Sequence, residues 1–242
     1  CMTGQHDDSN RETPDRAKPT WHFAAAALLI VAAVAGSASA GEEFPLHFEA
    51  VELPGAFVKP VAITFAPNGF FFVAEQRGTL RVHSGSELQD AFALDLRDEI
   101  NAAGDRGLLG IALHPGFVPD GGTSSWIYLL YTVSPVFGQD WGYDEEDKYS
   151  FSRLARYRAE LQGAELICDV ASREVLLGNQ EPNGTVPDGI ASLHNSHSNG
   201  SLHFADDGSL FVAIGDGAHW DFPDVGGADP AGVCRLHLQK SS

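Results

Sequence analysis

The 242-residue sequence is long enough for one or two domains, and with 43% hydrophobic and 20% charged residues it has the composition of a globular protein rather than a disordered one. Its formal net charge of −18 argues against a surface that binds phosphate backbones, so nucleic acid is not an expected partner. The abundance of glycine (26 residues) and phenylalanine (15 residues) favours many short strands joined by tight turns.

The first 40 residues have the order of a secretory signal peptide. Arg16 and Lys18 precede an apolar run at residues 23–36, and Ala38-Ser39-Ala40 follows that run as a small-x-small cleavage site. The run is short for a membrane span, and the alternatives are an uncleaved anchor or a buried helix. We expect cleavage after Ala40, export to the periplasm or the cell exterior, and no membrane attachment afterwards. Residues 1–40 are then the extension with its signal peptide, and residues 41–242 are the folded domain.

A strand–turn–strand unit recurs along the remaining chain. Residues 63–74 read ITFAPNGFFFVA, and residues 202–213 read LHFADDGSLFVA. A looser copy lies between them, with IALHPGF at residues 111–117 and WIYLLYT at residues 126–132. Repeats of this size are typical of propellers and solenoids, so the pattern predicts an all-β protein.

The turns and connections of these units can also be predicted. Asn68-Gly69 and Asp207-Gly208 are hairpin signals, because glycine accepts a positive φ without strain. Residues 151–161 are the best candidate for a helix, but RLARYRAEL also alternates and fits a strand that crosses between blades. Residues 178–190 read as a turn-rich loop.

Three copies indicate about three blades of a β-propeller. Propellers close with roughly four to eight blades, so about three blades cannot form a ring by themselves. Either the chain oligomerises to complete the ring or it is truncated, and we expect truncation.

Two further segments narrow the interpretation. Residues 105–117 read DRGLLGIALHPGF, and residues 197–204 read HSNGSLHF, followed by IGDG at residues 214–217. Together with FAPNGFFFVAEQRGTLRV at residues 65–82, these segments resemble the glucose/sorbosone dehydrogenase family. The resemblance covers roughly residues 54–217, and it implies a six-bladed β-propeller similar to soluble glucose dehydrogenase, which depends on pyrroloquinoline quinone (PQQ).

The resemblance also implies roles for three residues. His197 stands where the family has its general base, which takes a hydroxyl proton from the substrate as hydride passes to the quinone; this position also lies against the cofactor. Asp216, 19 residues further on, stands where a carboxylate supports that histidine. Asp105 stands where the family has a polar residue beside the quinone. Neutral histidine is suited to taking a proton near pH 7, and a neighbouring carboxylate can fix its tautomer.

The cofactors implied in the same way are PQQ and calcium, with most of their ligands expected in a C-terminal part beyond this sequence. No residue of this chain is assigned as a metal ligand. The implied substrate is a sugar or a related alcohol or aldehyde, and an external acceptor would take the electrons.

Other functions remain as alternatives. A propeller can serve as a non-catalytic binding module, or as a calcium-dependent hydrolase of the lactonase type. Zinc is disfavoured at His197 and His203, since six residues of one strand separate them by about 20 Å. The chain has neither a G-x-S-x-G elbow nor a G-x-G-x-x-G loop before a helix. A disulfide between Cys168 and Cys234 is permitted in an exported protein, but the spacing alone does not predict it.

Overall fold

The computed structural model describes residues 47–85, 87–134, 150–182, 185–192 and 195–215, which all belong to one unit of the chain. The predicted boundary after Ala40 therefore lies outside the described residues. Within these ranges the chain contains no helix, and so none long and apolar enough to cross a membrane. The strands are β1 (Pro60–Phe65), β2 (Phe71–Glu75), β3 (Thr79–His83), β4 (Leu94–Asp95), β5 (Leu108–Leu113), β6 (Trp126–Val133), β7 (Ser150–Gln162), β8 (Glu165–Leu177), β9 (Ile190–Ser192), β10 (Asn199–Phe204) and β11 (Leu210–Ile214).

The first four strands form an antiparallel sheet in the order β1-β2-β3-β4, the first blade. The turn between β1 and β2 contains Gly69 at a φ of 88°, so the hairpin predicted from Asn68-Gly69 is confirmed. Strand β2 is buried along its whole length, whereas Phe65 at the end of β1 is 70% exposed. The alternating pattern therefore identifies β1 as a strand but does not determine which of its side chains are covered.

The second blade has the order β5-β6-β7-β8, and the short strand β9 pairs with the beginning of β7. Every residue of β6 is buried, as expected for a central strand that is covered on both faces. Residues 151–161 lie in β7, so the strand interpretation of this segment is confirmed. The suggestion that it crosses between blades is wrong, because β7 pairs with β6 from Phe151 to Arg158 and lies inside one blade.

The last two strands form a hairpin, the start of a third blade. Gly208 in its turn has a φ of 86°, as the Asp-Gly pair predicts. Leu202 faces Val212 across the hairpin, just as Ile63 faces Val73 in the first blade. The sequence repeat is thus also a repeat in strand register.

The same hydrogen bond closes one end of both hairpins. The Gly215 N–H donates to the Ser198 carbonyl at 2.6 Å, and the Gln76 N–H donates to the Lys59 carbonyl at 3.0 Å. Each bond joins the residue after the second strand to the residue before the first strand. The repeat therefore places Gln76 and Gly215 at equivalent positions, one with a long side chain and one with none.

Aromatic rings join successive blades edge to face. Phe72 of the first blade meets Phe117 of the second at a centroid distance of 5.8 Å and 89°. Tyr128 of the second blade meets Phe204 of the hairpin at 5.0 Å and 78°. Such edge-to-face contacts are favourable for aromatic pairs. Successive antiparallel sheets that pack in this way form a partial β-propeller, as the sequence predicts.

Candidate active site where the blades begin

The sequence motifs meet at the end of the blades where β1, β5 and β10 begin, which we call the site end. Gln76 follows β2, Asp105 precedes β5, and His197 precedes β10. Each of these residues belongs to a different blade. Hydrogen bonds link the three segments, so the site end is built across the blades rather than within one of them.

Gln76 connects the first blade to the second. Its side-chain amide donates to the carbonyls of Gly104 and Arg106, both at 2.8 Å. Its backbone carbonyl accepts from the N–H of Leu108 at 2.9 Å. A Cβ on Gly107 would lie 2.4 Å from that carbonyl, so the DRGLLG motif needs glycine there for close approach of two backbones.

Asp105 connects the second blade to the third. Its carboxylate oxygen Oδ2 accepts the backbone N–H of His197 at 3.0 Å, and its own N–H donates to the carbonyl of Asn195 at 2.7 Å. Both Asp105 and His197 are exposed at the site end. The structure thus brings together two of the three residues that the sequence proposes for the site, although 92 positions separate them.

The end of β11 closes the other side of His197. A Cβ on Gly215 would lie 2.1 Å from the His197 carbonyl oxygen, so no side chain fits at that position. The predicted neighbourhood of the two strands is confirmed, because β10 and β11 pair. Asp216 follows Gly215 in the sequence but lies outside the described residues, so its contact with His197 stays a prediction.

A layer of buried polar side chains lies beneath these segments. Arg106 is fully buried, and its Nη2 donates to the Ser192 carbonyl at 2.8 Å. The Ser198 hydroxyl lies 3.0 Å from that of Ser192 and 3.1 Å from that of Thr132. Asn199 donates to the Thr132 hydroxyl at 2.9 Å. The layer ties the start of β10 to β6 and β9.

Sequence reasoning missed this layer. No motif indicated a role for Ser198, whereas the structure uses its hydroxyl to join two blades. The available signal was Thr132, a polar residue in the otherwise apolar strand WIYLLYTV. A buried hydroxyl needs a hydrogen-bond partner, so a threonine there indicates a polar neighbour from another blade.

A buried ionic cluster supports the connection between β4 and β5. Glu99 accepts a hydrogen bond from the Tyr131 hydroxyl at 3.1 Å, and it forms ion pairs with Arg153 and, at 2.8 Å, with Arg173. Burial, together with the neighbouring Tyr157 and Glu99, raises the pKa of Tyr131 well above its ordinary value. The Tyr131 hydroxyl therefore stays protonated and remains a donor to Glu99.

The other residues singled out from the sequence lie apart from this site or outside the described ranges. Cys168 is a free, buried thiol whose pKa desolvation raises to about 12, and Cys234 lies outside the described residues. His203 is exposed at the far part of β10. Among the residues that the structure describes, no group of His, Cys, Asp or Glu side chains is arranged to hold a metal ion.

The fold and the site end define a class of protein: a partial β-propeller in which loops from three successive blades meet at one polar end. The family model for glucose/sorbosone dehydrogenase matches residues 57–237, which is well over half of the chain. The chain therefore belongs to the glucose/sorbosone dehydrogenase family.

Individual relatives differ in what their names describe. The chain is 25% identical over 173 residues to Hedgehog-interacting protein of Mus musculus, covering 69% of this chain and 22% of that protein. It is 26% identical to a proposed oxidoreductase (glucose dehydrogenase) from Thermus thermophilus, with a TM-score of 0.45 over 67% of this chain and 39% of that one. It is 18% identical to the PQQ-bound aldose sugar dehydrogenase of Streptomyces coelicolor, with a TM-score of 0.42 over 68% and 40% of the two chains. The chain thus spans about a fifth of the curated relative and about two fifths of these solved structures.

Proposed function

We propose that this chain forms the first blades of a PQQ-dependent dehydrogenase that oxidises a sugar or a related alcohol or aldehyde. One observation carries the proposal: the Asp105 carboxylate holds the backbone of His197 at the end where three blades meet. In a member of the glucose/sorbosone dehydrogenase family, an exposed histidine built into that end is suited to a role in proton transfer.

The chemistry of the side chains at the site end is compatible with such a cofactor. PQQ, when bound, accepts a hydride at its quinone, and it carries several carboxylates that need cationic partners. Lys59 precedes β1 and Arg77 lies in the turn after β2, so both cations stand at the same end of the first blade as Gln76. His197 would then lie beside the reactive part of the cofactor. Calcium belongs to the same proposal, but none of the described residues is assigned to it.

His197 would act as the general base. Its neutral imidazole would take the proton of the substrate hydroxyl. At the same time a hydride would leave the carbon that bears this hydroxyl, which becomes a carbonyl carbon. Asp216 would orient the imidazole and stabilise its charged form. The protein therefore supplies orientation and proton transfer, while the redox step belongs to the cofactor.

The same proposal includes the protein's surroundings. The signal-like segment ending at Ala40 supports export, which would place the enzyme in the periplasm or outside the cell. An external acceptor would take the electrons from the reduced cofactor. The net charge of −18 supports a small-molecule substrate over nucleic acid.

A second candidate function is a non-catalytic binding module. The observation that favours it is the similarity to Hedgehog-interacting protein, whose name describes binding rather than catalysis. In this case the site end would be a surface for a protein partner, and His197 would have no part in a proton transfer.

Replacement of His197 separates the two functions. In the full-length protein supplied with PQQ and calcium, His197→Ala should lower kcat for dye-linked sugar oxidation by about 10²- to 10⁴-fold, the usual contribution of a general base. His203→Ala is the matched control, because His203 is exposed on β10, the strand that His197 precedes, and lies away from the site end. Equal turnover in wild type and His197→Ala would defeat the assignment of His197 as the base, whereas no turnover with any sugar would favour the binding module.

A further inference from the structure

We propose that Asp105 is a positioning residue for His197: it acts by fixing the backbone of the histidine rather than by touching the cofactor. This inference rests on the proposed function, since it assigns how the proposed base is held. It differs from the role that the family resemblance implies, in which the residue at this place lies beside the quinone.

The first observation is the conformation of His197. Its φ is 50°, in the left-handed region that residues other than glycine rarely adopt. Among the described residues, only His47 and Lys59 share a positive φ without being glycine. A strained backbone of this kind persists only where the surroundings over-determine it, and such residues cluster at functional sites.

The second observation is that Asp105 supplies much of that determination. Its carboxylate accepts the His197 N–H at 3.0 Å, and its N–H donates to the Asn195 carbonyl at 2.7 Å. One bond therefore holds Asn195, two residues before His197, and the other holds His197 itself. A hydrogen bond from a backbone N–H to a carboxylate is stronger than one to a neutral acceptor.

The third observation is that the remaining sides of the turn are already occupied. The His197 carbonyl lies against Gly215, where a Cβ would come within 2.1 Å of it. Arg106, the next residue after Asp105, anchors Ser192 through its Nη2 at 2.8 Å and its Nε at 3.3 Å. The dipeptide Asp105-Arg106 therefore holds the chain on both sides of the segment that leads to His197.

These contacts explain why an acidic residue suits this position. Asp105 is exposed, yet its carboxylate binds a backbone group of another blade rather than a charged side chain. Loss of the carboxylate would let the turn relax toward ordinary backbone angles and redirect the imidazole. Such a displacement acts on the chemical step more than on substrate binding.

The test compares Asp105→Ala with Asp105→Asn in the full chain. The backbone amide resonance of His197, observed with ¹⁵N-histidine labelling and assigned from its loss in His197→Gln, reports directly on the hydrogen bond. We expect it farthest downfield in wild type, shifted in Asp105→Asn, and shifted most in Asp105→Ala, because asparagine keeps an acceptor but not the charge. Asp98→Asn is the matched control, since Asp98 is an exposed carboxylate in the same connection between β4 and β5.

Kinetics of the protein loaded with PQQ supply the second readout. Asp105→Ala should lower kcat by about 10- to 100-fold with little change in KM, and Asp105→Asn should restore part of the loss. An unchanged His197 amide in Asp105→Ala would overturn the positioning role, and so would a loss that appears only in KM. If the amide shifts as expected but wild type has no dehydrogenase activity, the positioning contact stands and the proposed function fails. A thermal melt of each variant identifies any that do not fold, and in that case Asp105→Asn decides.

Discussion

The buried ion pair between Glu99 and Arg153 gives the sharpest test of how the connection before β5 is held. The two side chains are 11% and 5% exposed, and Glu99 also accepts from Tyr131 and from Arg173. Glu99→Ala removes the carboxylate and leaves the Arg153 guanidinium buried without its counter-charge. Breaking one partner of a buried pair costs about 3–5 kcal/mol, because the remaining charge keeps its desolvation penalty.

The matched control is an exposed pair in the same region. Asp95 and Arg97 form an ion pair in which both side chains are 39% exposed. Asp95→Ala should cost only about 0.2–1 kcal/mol, since water replaces the lost interaction. The two variants remove similar carboxylates a few residues apart, so the difference between them measures burial rather than charge.

Urea unfolding followed by tryptophan fluorescence measures both free energies of unfolding. Glu99→Ala should also lower Tm by about 10 °C, at roughly 2–4 °C per kcal/mol for a domain of this size. Adding Arg153→Met to Glu99→Ala should restore part of the stability, because the unpaired charge is removed as well. If Glu99→Ala and Asp95→Ala lose the same stability, the buried cluster does not hold this connection.

Three further predictions concern the core, the close backbone approach at the site end and the buried thiol. Phe72→Ala should cost about 3–5 kcal/mol of unfolding free energy, because Phe72 is fully buried. Phe211→Ala should cost less than about 1 kcal/mol, because Phe211, its repeat equivalent, is 63% exposed. Similar costs would mean that the two repeat positions are equally packed. Gly215→Ala should lose about 2 kcal/mol through contact with a backbone carbonyl, whereas Gly116→Ala, whose Cβ would meet nothing closer than 3.8 Å, should be neutral in the same urea measurement. With the other cysteines replaced by serine, the buried Cys168 should resist iodoacetamide in the native state. Burial raises the pKa of this thiol to about 12, against 9.0 when exposed, so the free energy of unfolding should fall as the pH rises from about 9 to about 12. A flat profile over that range would contradict its burial.

The hairpins could be predicted from the sequence because their information is local. Asn68-Gly69 and Asp207-Gly208 fix the turns by backbone chemistry alone, and both glycines have the expected positive φ. Burial could not be predicted in the same way. Phe72 and Phe211 occupy equivalent places in the repeat, yet the first meets Phe117 of the next blade and the second remains exposed. Burial depends on what packs against the strand, which the strand's own sequence does not encode.

The site shows the same division. Family resemblance selected Asp105 and His197, and the structure joins them by a hydrogen bond. The resemblance gave no indication that Asp105 binds the main chain of His197, because a motif records residue types and not which atoms they use. Nor could periodicity find the contact between Ser198 and Thr132, which forms only when two blades pack together.

Gln76 and Gly215 occupy one repeat position, yet neither could replace the other. In the first blade the long amide at this position reaches across to the neighbouring loop, while in the hairpin a bare backbone leaves room for the carbonyl of His197. If the blades arose by duplication, this is where the copies had to diverge. Recombination or design that made the copies uniform would preserve the strands and turns. With glycine at both positions the link between blades would break, and with glutamine at both His197 would be forced aside. A consensus blade would therefore keep the architecture and lose the site.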